Sequence, residues 1–273
     1  MVFDDSLILR AVLGALFAGA VAALARRAGV LTVHGQWAAF VIGTIVTSAG
    51  WAWAGLLFAY FVVSSALTRF GATRKHALTE GVLSPAGARS GRQVLANGSL
   101  FALLVLLGAV RGDAALSLAG LGALAAAAAD TWATEVGLLW GGTPRSITNG
   151  RAVEPGVSGG VTPAGVGASL AAALVFGLLA PALIAEGSGT TGAARGVFVA
   201  AIAGSLADSL LGATVQAKRW CEPCRTWTER HVHGCGYRSA HAHGIRWMTN
   251  DTVNFCATAV GALGALVAAG ILA

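Results

Sequence analysis

The chain has 273 residues, of which 56% are hydrophobic and 11% are charged, with 38 glycines and a mean hydropathy of +0.72. Soluble globular domains carry roughly 25% charged residues, so the composition excludes that class and predicts a protein that crosses a membrane several times. The formal net charge is +6, and in a membrane protein its distribution between loops matters more than its sum.

Eight apolar segments are candidates for membrane spans, each of which needs about 20 residues. The stretch Gly35–Thr68 is uncharged for 34 residues, or about 51 Å of helix, which is too long for one ordinary span. We therefore favour a tight hairpin of two spans there, and eight spans over seven. We expect one all-α helix bundle over residues 1–273. The segments are Leu7–Ala25, Gly35–Gly50, Trp51–Thr68, Val94–Val110, Ala114–Ala129, Val161–Ile184, Gly196–Val215 and Val253–Leu272.

Basic residues concentrate in alternate loops. With the N-terminus outside, every Lys and Arg except Arg10, Arg111 and Arg195 falls in the four inward loops. The positive-inside rule then predicts that these loops lie on the cytosolic side of the cell membrane. If Gly35–Thr68 were a single span, only the location of the N-terminus would change.

Polar residues enter the fourth span along one stripe. If the helix begins before Arg89, then Arg89, Arg92, Gln93 and Asn97 lie three to four positions apart and share one face. Such a stripe should face a cavity rather than lipid. The alternative, an ordinary positive-inside loop, suits Arg74 and Lys75 equally well.

Three aspartates fall at the predicted inner ends of spans: Asp130, Asp208 and Asp251. The sequence around Asp130 is partly repeated around Asp208, which lies inside an apolar span and therefore needs a partner or a wet cavity. We predict that the three carboxylates bind Mg²⁺, with Glu135 as a further candidate. For Asp130 the alternative is a solvated acid at the membrane boundary.

The loop after Asp130 has the composition of a phosphate site. Arginine binds phosphate through paired donors, and a glycine-rich turn lets backbone N–H groups approach anionic oxygens. We assign Arg145 to phosphate binding in catalysis. The other substrate-binding candidates are Arg89, Arg92, Gln93, Asn97, Arg151, Gly156, Ser158, Gly159, Gly160, Asn250 and Asn254.

A second metal centre is predicted in the loop of residues 218–247. Cys221 and Cys224 are followed by His233 and Cys235, a ligand set and spacing that suit a tetrahedral structural Zn²⁺ knuckle. The alternative is a set of cytosolic thiols without metal.

In order and spacing, these motifs resemble the integral-membrane "domain of unknown function 92" family. The longest matching runs are Arg92–Gly98, Val153–Thr162 and Gly204–Gln216. That family includes the phytyl-phosphate kinase of plants and cyanobacteria, which converts an isoprenyl monophosphate to the diphosphate with a nucleoside triphosphate. The resemblance thus implies a nucleoside triphosphate, a prenyl monophosphate and membrane lipid as partners, and no nucleic acid.

Two functions remain after the residues and the resemblance are combined. The first is a membrane-embedded prenyl-phosphate kinase, without the Gly-x₄-Gly-Lys-Ser/Thr loop of soluble kinases. The second is a transporter or flippase of an anionic lipid or solute, because repeated motifs in two spans suit an internal duplication. The polar residues cluster on one side, which favours the enzyme.

Overall fold

The computed structural model describes residues 5–80, 82, 87–184 and 190–272. In this part of the chain the helices account for most residues and the strands are short. The helices are α1 (Asp5–Arg27), α2 (Val33–Ala49), α3 (Trp51–Arg69), α4 (Ala72–Thr79), α5 (Gly91–Arg111), α6 (Ala114–Trp140), α7 (Pro163–Leu183), α8 (Thr190–Thr214) and α9 (Asn250–Ala269). The strands are β1 (Arg145–Ser146), β2 (Gly160–Val161), β3 (Lys218–Cys221), β4 (Thr226–Thr228) and β5 (Ala240–His243).

Seven helices of the described part are long and apolar enough to cross a membrane: α1, α3 and α5–α9. Helix α2 has only 17 residues, but it packs along α1 and α5 like the others. The predicted break in the uncharged stretch is confirmed at Gly50, whose φ of 157° is rare for residues with a side chain. The predicted helical membrane bundle is therefore confirmed. Helix α2 is shorter than the seven candidate membrane spans.

The long polar loops meet at one end of the bundle, which we call the loop face. Leu31, after α1, pairs with Arg89, before α5. Arg69, at the end of α3, donates a hydrogen bond to the carbonyl of Ala28. Strands β1 and β2 join the two ends of the loop between α6 and α7. The predicted motif loops are thus on the same side of the molecule.

Small residues let the central helices approach closely. Every residue of α6 from Leu118 to Ala129 is buried. A methyl group added at Gly261 of α9 would lie 2.5 Å from Cβ of Ala126, and one added at Gly204 of α8 would collide with the same atom. In lipid, where helices gain little from the hydrophobic effect, such close contact supplies much of the packing energy.

Two of the helix boundaries that differ from the sequence-based expectation bear on the candidate site. Helix α6 continues to Trp140, so Asp130 lies inside it and not near its end. Polar residues on a cavity wall lower hydropathy without ending a helix. Helix α5 begins at Gly91, where Ser90 and Gln93 form a capping box, so Arg89 belongs to the preceding loop.

The loop between α8 and α9 folds into a small antiparallel sheet in the order β4-β3-β5. The turn between β3 and β4 places Arg225 in the left-handed region, with φ of 48°. The rings of Trp220 and Trp227, on paired residues, lie 5.1 Å apart edge to face. This sheet is an addition to the predicted all-α fold.

Candidate active site at the loop face

A cavity of about 1490 Å³ opens at the loop face. Its walls come from α4, from the ends of α3 and α5–α9, and from the loops between them. Most of the polar residues singled out in the sequence line it: Arg89, Gln93, Asn97, Asp130, Glu135, Gly156, Ser158, Gly159, Gly160, Asp208, Asn250, Asp251 and Asn254.

The close contact between α6 and α8 brings Asp130 and Asp208 to the same wall. Each aspartate lies four residues beyond the touching pair, Ala126 and Gly204, which is one helical turn toward the loop face. Both aspartates line the cavity. The short sequence repeat therefore corresponds to a real spatial pairing.

Helix α9 supplies the third side of this wall. With the amide nitrogen of Asn254 oriented toward its acceptors, it donates to Asp208 Oδ2 at 2.8 Å. Asp251 lies in the first turn of α9 and lines the same cavity as Glu229 of the sheet loop. None of Asp130, Asp208 and Asp251 forms an ion pair with any residue that the structure describes. The three aspartates share the cavity, but they do not converge into a single three-ligand cluster.

Glu135 is placed differently from the three aspartates. Its Oε2 lies 2.5 Å from Nζ of Lys75, and its Oε1 accepts a hydrogen bond of 2.6 Å from Thr68. Lys75 also donates to the carbonyl of Leu67 at 2.6 Å and is 3% exposed. Because both carboxylate oxygens are engaged, Glu135 fixes α4 and α3 to α6.

Three of the four residues in the predicted polar stripe line the cavity, and the fourth does not. Gln93 and Asn97 line the cavity with Arg89, whose backbone is held by Val30 and Thr32. Arg92 is exposed and does not line the cavity, although its charge acts on Asp251.

The two arginines of the loop between α6 and α7 also lie away from the cavity lining. Both Arg145 and Arg151 are exposed. Nη1 of Arg145 donates to the carbonyl of Gly150 at 2.9 Å. In the described structure, Arg145 therefore stabilises a turn of its own loop.

The glycine-rich turn packs directly against the end of α8. Gly159 has φ of 85°, and a methyl group added there would lie 2.7 Å from the backbone nitrogen of Ala213. Both conditions demand glycine, because L side chains rarely adopt this φ and backbone atoms cannot give way. The turn is thus held in a fixed position on the cavity wall.

A hydrogen-bonded network joins this turn to the sheet loop through residues that the sequence analysis missed. Ser158 donates to Glu229 Oε1 at 2.5 Å, and Gln216 Nε2 donates to the same oxygen at 2.7 Å. Lys218 Nζ donates to the carbonyl of Ser158 at 3.2 Å. Burial raises the pKa of Glu229 and lowers that of Lys218, while the attraction between their charges opposes both shifts. Sequence alone offers only proximity to known motifs as a signal for these residues.

The four predicted knuckle residues do converge. Ligand atoms of Cys221, Cys224, His233 and Cys235 all lie within 4.8 Å of one another. The Cys221 and Cys235 sulfurs are 3.6 Å apart, close to the roughly 3.8 Å between sulfurs of a tetrahedral zinc site. Nε2 of His233 is buried with no partner in the described structure, and the hydrogen bond with His233 helps to lower the pKa of Cys235 to about 6. The group can hold a metal ion.

Comparison with known proteins identifies a family and several relatives. The model of the integral membrane protein family DUF92 matches residues 16–262. Protein PGR of Arabidopsis thaliana is 31% identical over 247 residues, which are 82% of this chain and 84% of the relative. An uncharacterized membrane protein of Synechocystis sp. is 30% identical over 270 residues, 96% of this chain and 90% of the relative. Another of Methanocaldococcus jannaschii is 33% identical over 167 residues, 60% of this chain and 65% of the relative. No solved structure matches the chain significantly.

Proposed function

This chain belongs to the DUF92 family of integral membrane proteins, and we propose that it is a membrane-embedded kinase. The proposed reaction transfers a phosphoryl group from a nucleoside triphosphate to a prenyl monophosphate and yields the prenyl diphosphate. The observation that carries the proposal is the wall of Asp130, Asp208 and Asp251, which line one cavity and form no ion pair with any described residue. Carboxylates in so apolar a bundle are costly unless a cation compensates them.

The donor set fits Mg²⁺. Asp130 and Asp208 offer carboxylate oxygens from adjacent helices, and Asp251 offers a third on the same cavity. Mg²⁺ binds proteins through one or two carboxylates and keeps its other positions for water and substrate phosphates. The three acids do not form a compact cluster like that of the cysteines and His233. This arrangement suits a metal–nucleotide complex better than an ion enclosed entirely by protein ligands. When bound, the ion neutralises charge on the transferring phosphate.

The acceptor requires little activation by the protein. An oxygen of the acceptor monophosphate forms the new P–O bond as the bond between the γ-phosphorus and its bridging oxygen breaks, which leaves a nucleoside diphosphate. That oxygen is already ionised, so catalysis is a matter of positioning and charge neutralisation. We assign the acceptor phosphate to Arg89 and the nucleotide phosphates to the turn that contains Ser158 and Gly159.

We propose that the group of Cys221, Cys224, His233 and Cys235, which we call the thiol cluster, binds Zn²⁺ in a structural role. Three sulfurs and one imidazole complete a tetrahedral site and leave no open position for substrate. The network from Glu229 to Ser158 then links the zinc-stabilised sheet to the phosphate-binding turn. The concentration of Lys and Arg at the loop face supports a cytosolic location for the whole site.

Incubation of the purified protein in detergent with γ-labelled nucleotides and a panel of prenyl monophosphates tests the proposal. We expect Mg²⁺-dependent appearance of label in the prenyl diphosphate. If no label is transferred, but the reconstituted protein moves an anionic lipid between leaflets, the transporter hypothesis is correct instead.

A further inference from the structure

A narrow apolar groove of about 100 Å³ lies between α1, α2, α3 and α5. Most of its lining is hydrocarbon, contributed among others by Val21, Ala39 and Leu57. Its polar lining includes Arg89, Gln93 and Asn97, and these residues also line the loop-face cavity. The groove therefore adjoins the site to which we assign the acceptor phosphate, with Arg89, Gln93 and Asn97 between them.

The other end of the groove opens on the outside of the bundle. Phe17 of α1 and Phe58 of α3 line it and are 41% and 42% exposed. Their rings meet edge to face, with centroids 6.1 Å apart. Because α1 and α3 are membrane spans, this opening faces lipid, and a hydrocarbon chain can enter it from within the bilayer.

A buried hydroxyl lies where the groove meets the cavity. Tyr60 lines the groove and is 8% exposed, and its hydroxyl makes no hydrogen bond of good geometry within the described residues, although the hydroxyls of Ser64 and Thr131 lie near it. It is close enough to Arg89 and Asp130 to feel both charges. A buried hydroxyl without a partner is destabilising, whereas a phosphate beside Arg89 offers it an acceptor.

From these three observations we infer that the groove holds the part of the prenyl chain nearest to the acceptor phosphate. The inference rests on the proposed function and adds the place and direction of the acceptor: phosphate at Arg89, chain between α2 and α3, and the remainder among lipid tails. The groove has a cationic, polar end at Arg89 and a single apolar channel beyond it. This arrangement matches an amphiphile with one anionic head and one hydrocarbon chain. Since lipid tails are as apolar as the groove, its contribution is mainly orientation of the reacting phosphate.

Filling the groove tests the inference. Ala39 lines it and is half-buried, whereas Ala59 of α3 is exposed and does not line it. We compare Ala39→Trp with the matched control Ala59→Trp, using farnesyl monophosphate as the long acceptor and methyl monophosphate, which has no chain to place in the groove, as the short one. Ala39→Leu, a smaller filling, replaces Ala39→Trp if thermal melting shows that the larger side chain prevents folding.

We expect Ala39→Trp to lower kcat/KM for the long acceptor by roughly tenfold or more, since misplaced reacting groups cost rate steeply. The value for the short acceptor and the KM for nucleotide should stay unchanged, and Ala59→Trp should match wild type with both acceptors. Equal behaviour of Ala39→Trp and Ala59→Trp toward the long acceptor would overturn the inference and leave the kinase proposal intact. So would an equal loss with both acceptors, which indicates a general defect or a groove that holds a bulk phospholipid.

Binding without nucleotide separates the groove from the kinase activity. Isothermal titration of the protein in detergent with farnesyl monophosphate should show weaker binding to Ala39→Trp than to Ala59→Trp. If wild type transfers no phosphate at all but this difference persists, the kinase proposal fails and the groove stands. If the two variants bind farnesyl monophosphate equally, the groove inference is wrong.

Discussion

The thiol cluster and the aspartate wall are both sets of metal-ligand residues at the loop face, but they differ in closure. Four ligand atoms of the cluster lie within 4.8 Å of one another, whereas Asp130, Asp208 and Asp251 are spread around an open cavity. A closed set satisfies its ion entirely with protein and stabilises the fold. An open set leaves positions for substrate, at a cost in stability that function must justify.

Glu135 shows that the two kinds of site differ in whether protein groups already satisfy the ligand atoms, and not in residue type. It is an acid on the same helix as Asp130, yet Lys75 and Thr68 engage both of its oxygens. We therefore group Glu135 and Lys75 with the thiol cluster as the structural set, whose members stabilise the fold. Disruption of the structural set should lower stability strongly, and disruption of the aspartate wall should lower activity with little effect on stability.

The largest loss of stability is expected from removal of the metal. Cys224→Ser or a strong chelator should abolish zinc binding and unfold the sheet of residues 218–243, because the binding free energy of structural zinc is about 10–16 kcal/mol and is coupled to folding. Metal analysis and limited proteolysis measure the two effects. Cys256→Ser, in α9 and outside the cluster, is the control and should keep the metal. Wild-type protein purified without chelators and free of zinc would contradict this assignment.

The buried ion pair should have the next largest effect. Lys75→Met leaves the Glu135 carboxylate buried without its cation, which typically costs about 3–5 kcal/mol. The double variant Lys75→Met/Glu135→Gln should recover most of the loss, because no unpaired charge remains. Thermal melting in detergent compares them. Equal destabilisation by the single and double variants would show that Lys75 acts through packing and not through the pair.

Gly159→Ala should have a smaller effect, of about 1–3 kcal/mol. The new methyl group is strained at φ of 85° and collides with the backbone of Ala213. Gly142→Ala is the matched control, since Gly142 has φ of 67° but no atom within 4 Å of the added methyl. The difference in melting temperature between the two isolates the contact with α8. No difference would mean that the turn does not depend on that contact.

The sequence predicted the helices well because each apolar run is long and the break at Gly50 follows from length alone. It placed the end of α6 too early, because Asp130 and Glu135 lower hydropathy while the helix continues along a polar cavity. The shared polar face of Arg89 and Arg92 required a helix that begins before Arg89, but Ser90 caps α5 one residue later. In both cases tertiary surroundings and capping decide the boundary, and hydropathy does not report them.

The site could be predicted only where its residues stand in recognisable motifs. The aspartates were visible as charges in or beside apolar spans, and the knuckle as a ligand spacing. Glu229 was not, because its role depends on contact with Ser158, 71 residues away. Arg145 and Arg151 resembled phosphate ligands by type and neighbourhood, but side-chain direction within a loop is set by its local turns.

Asp208→Asn should have the smallest effect on stability of these changes, and it tests the central claim most directly. The variant keeps approximate volume and loses one negative charge, and Asp113→Asn is the control. Asp113 caps the N-terminus of α6, on the far side from the loop face, and asparagine caps equally well. Melting temperature and Mg²⁺-dependent phosphoryl transfer to a prenyl monophosphate are measured on the same preparations. We predict that Asp208→Asn loses transfer by a factor on the order of 10²–10³ while it melts at or above the wild-type temperature, and that Asp113→Asn retains full transfer. A folded Asp208→Asn protein with wild-type transfer would contradict the account.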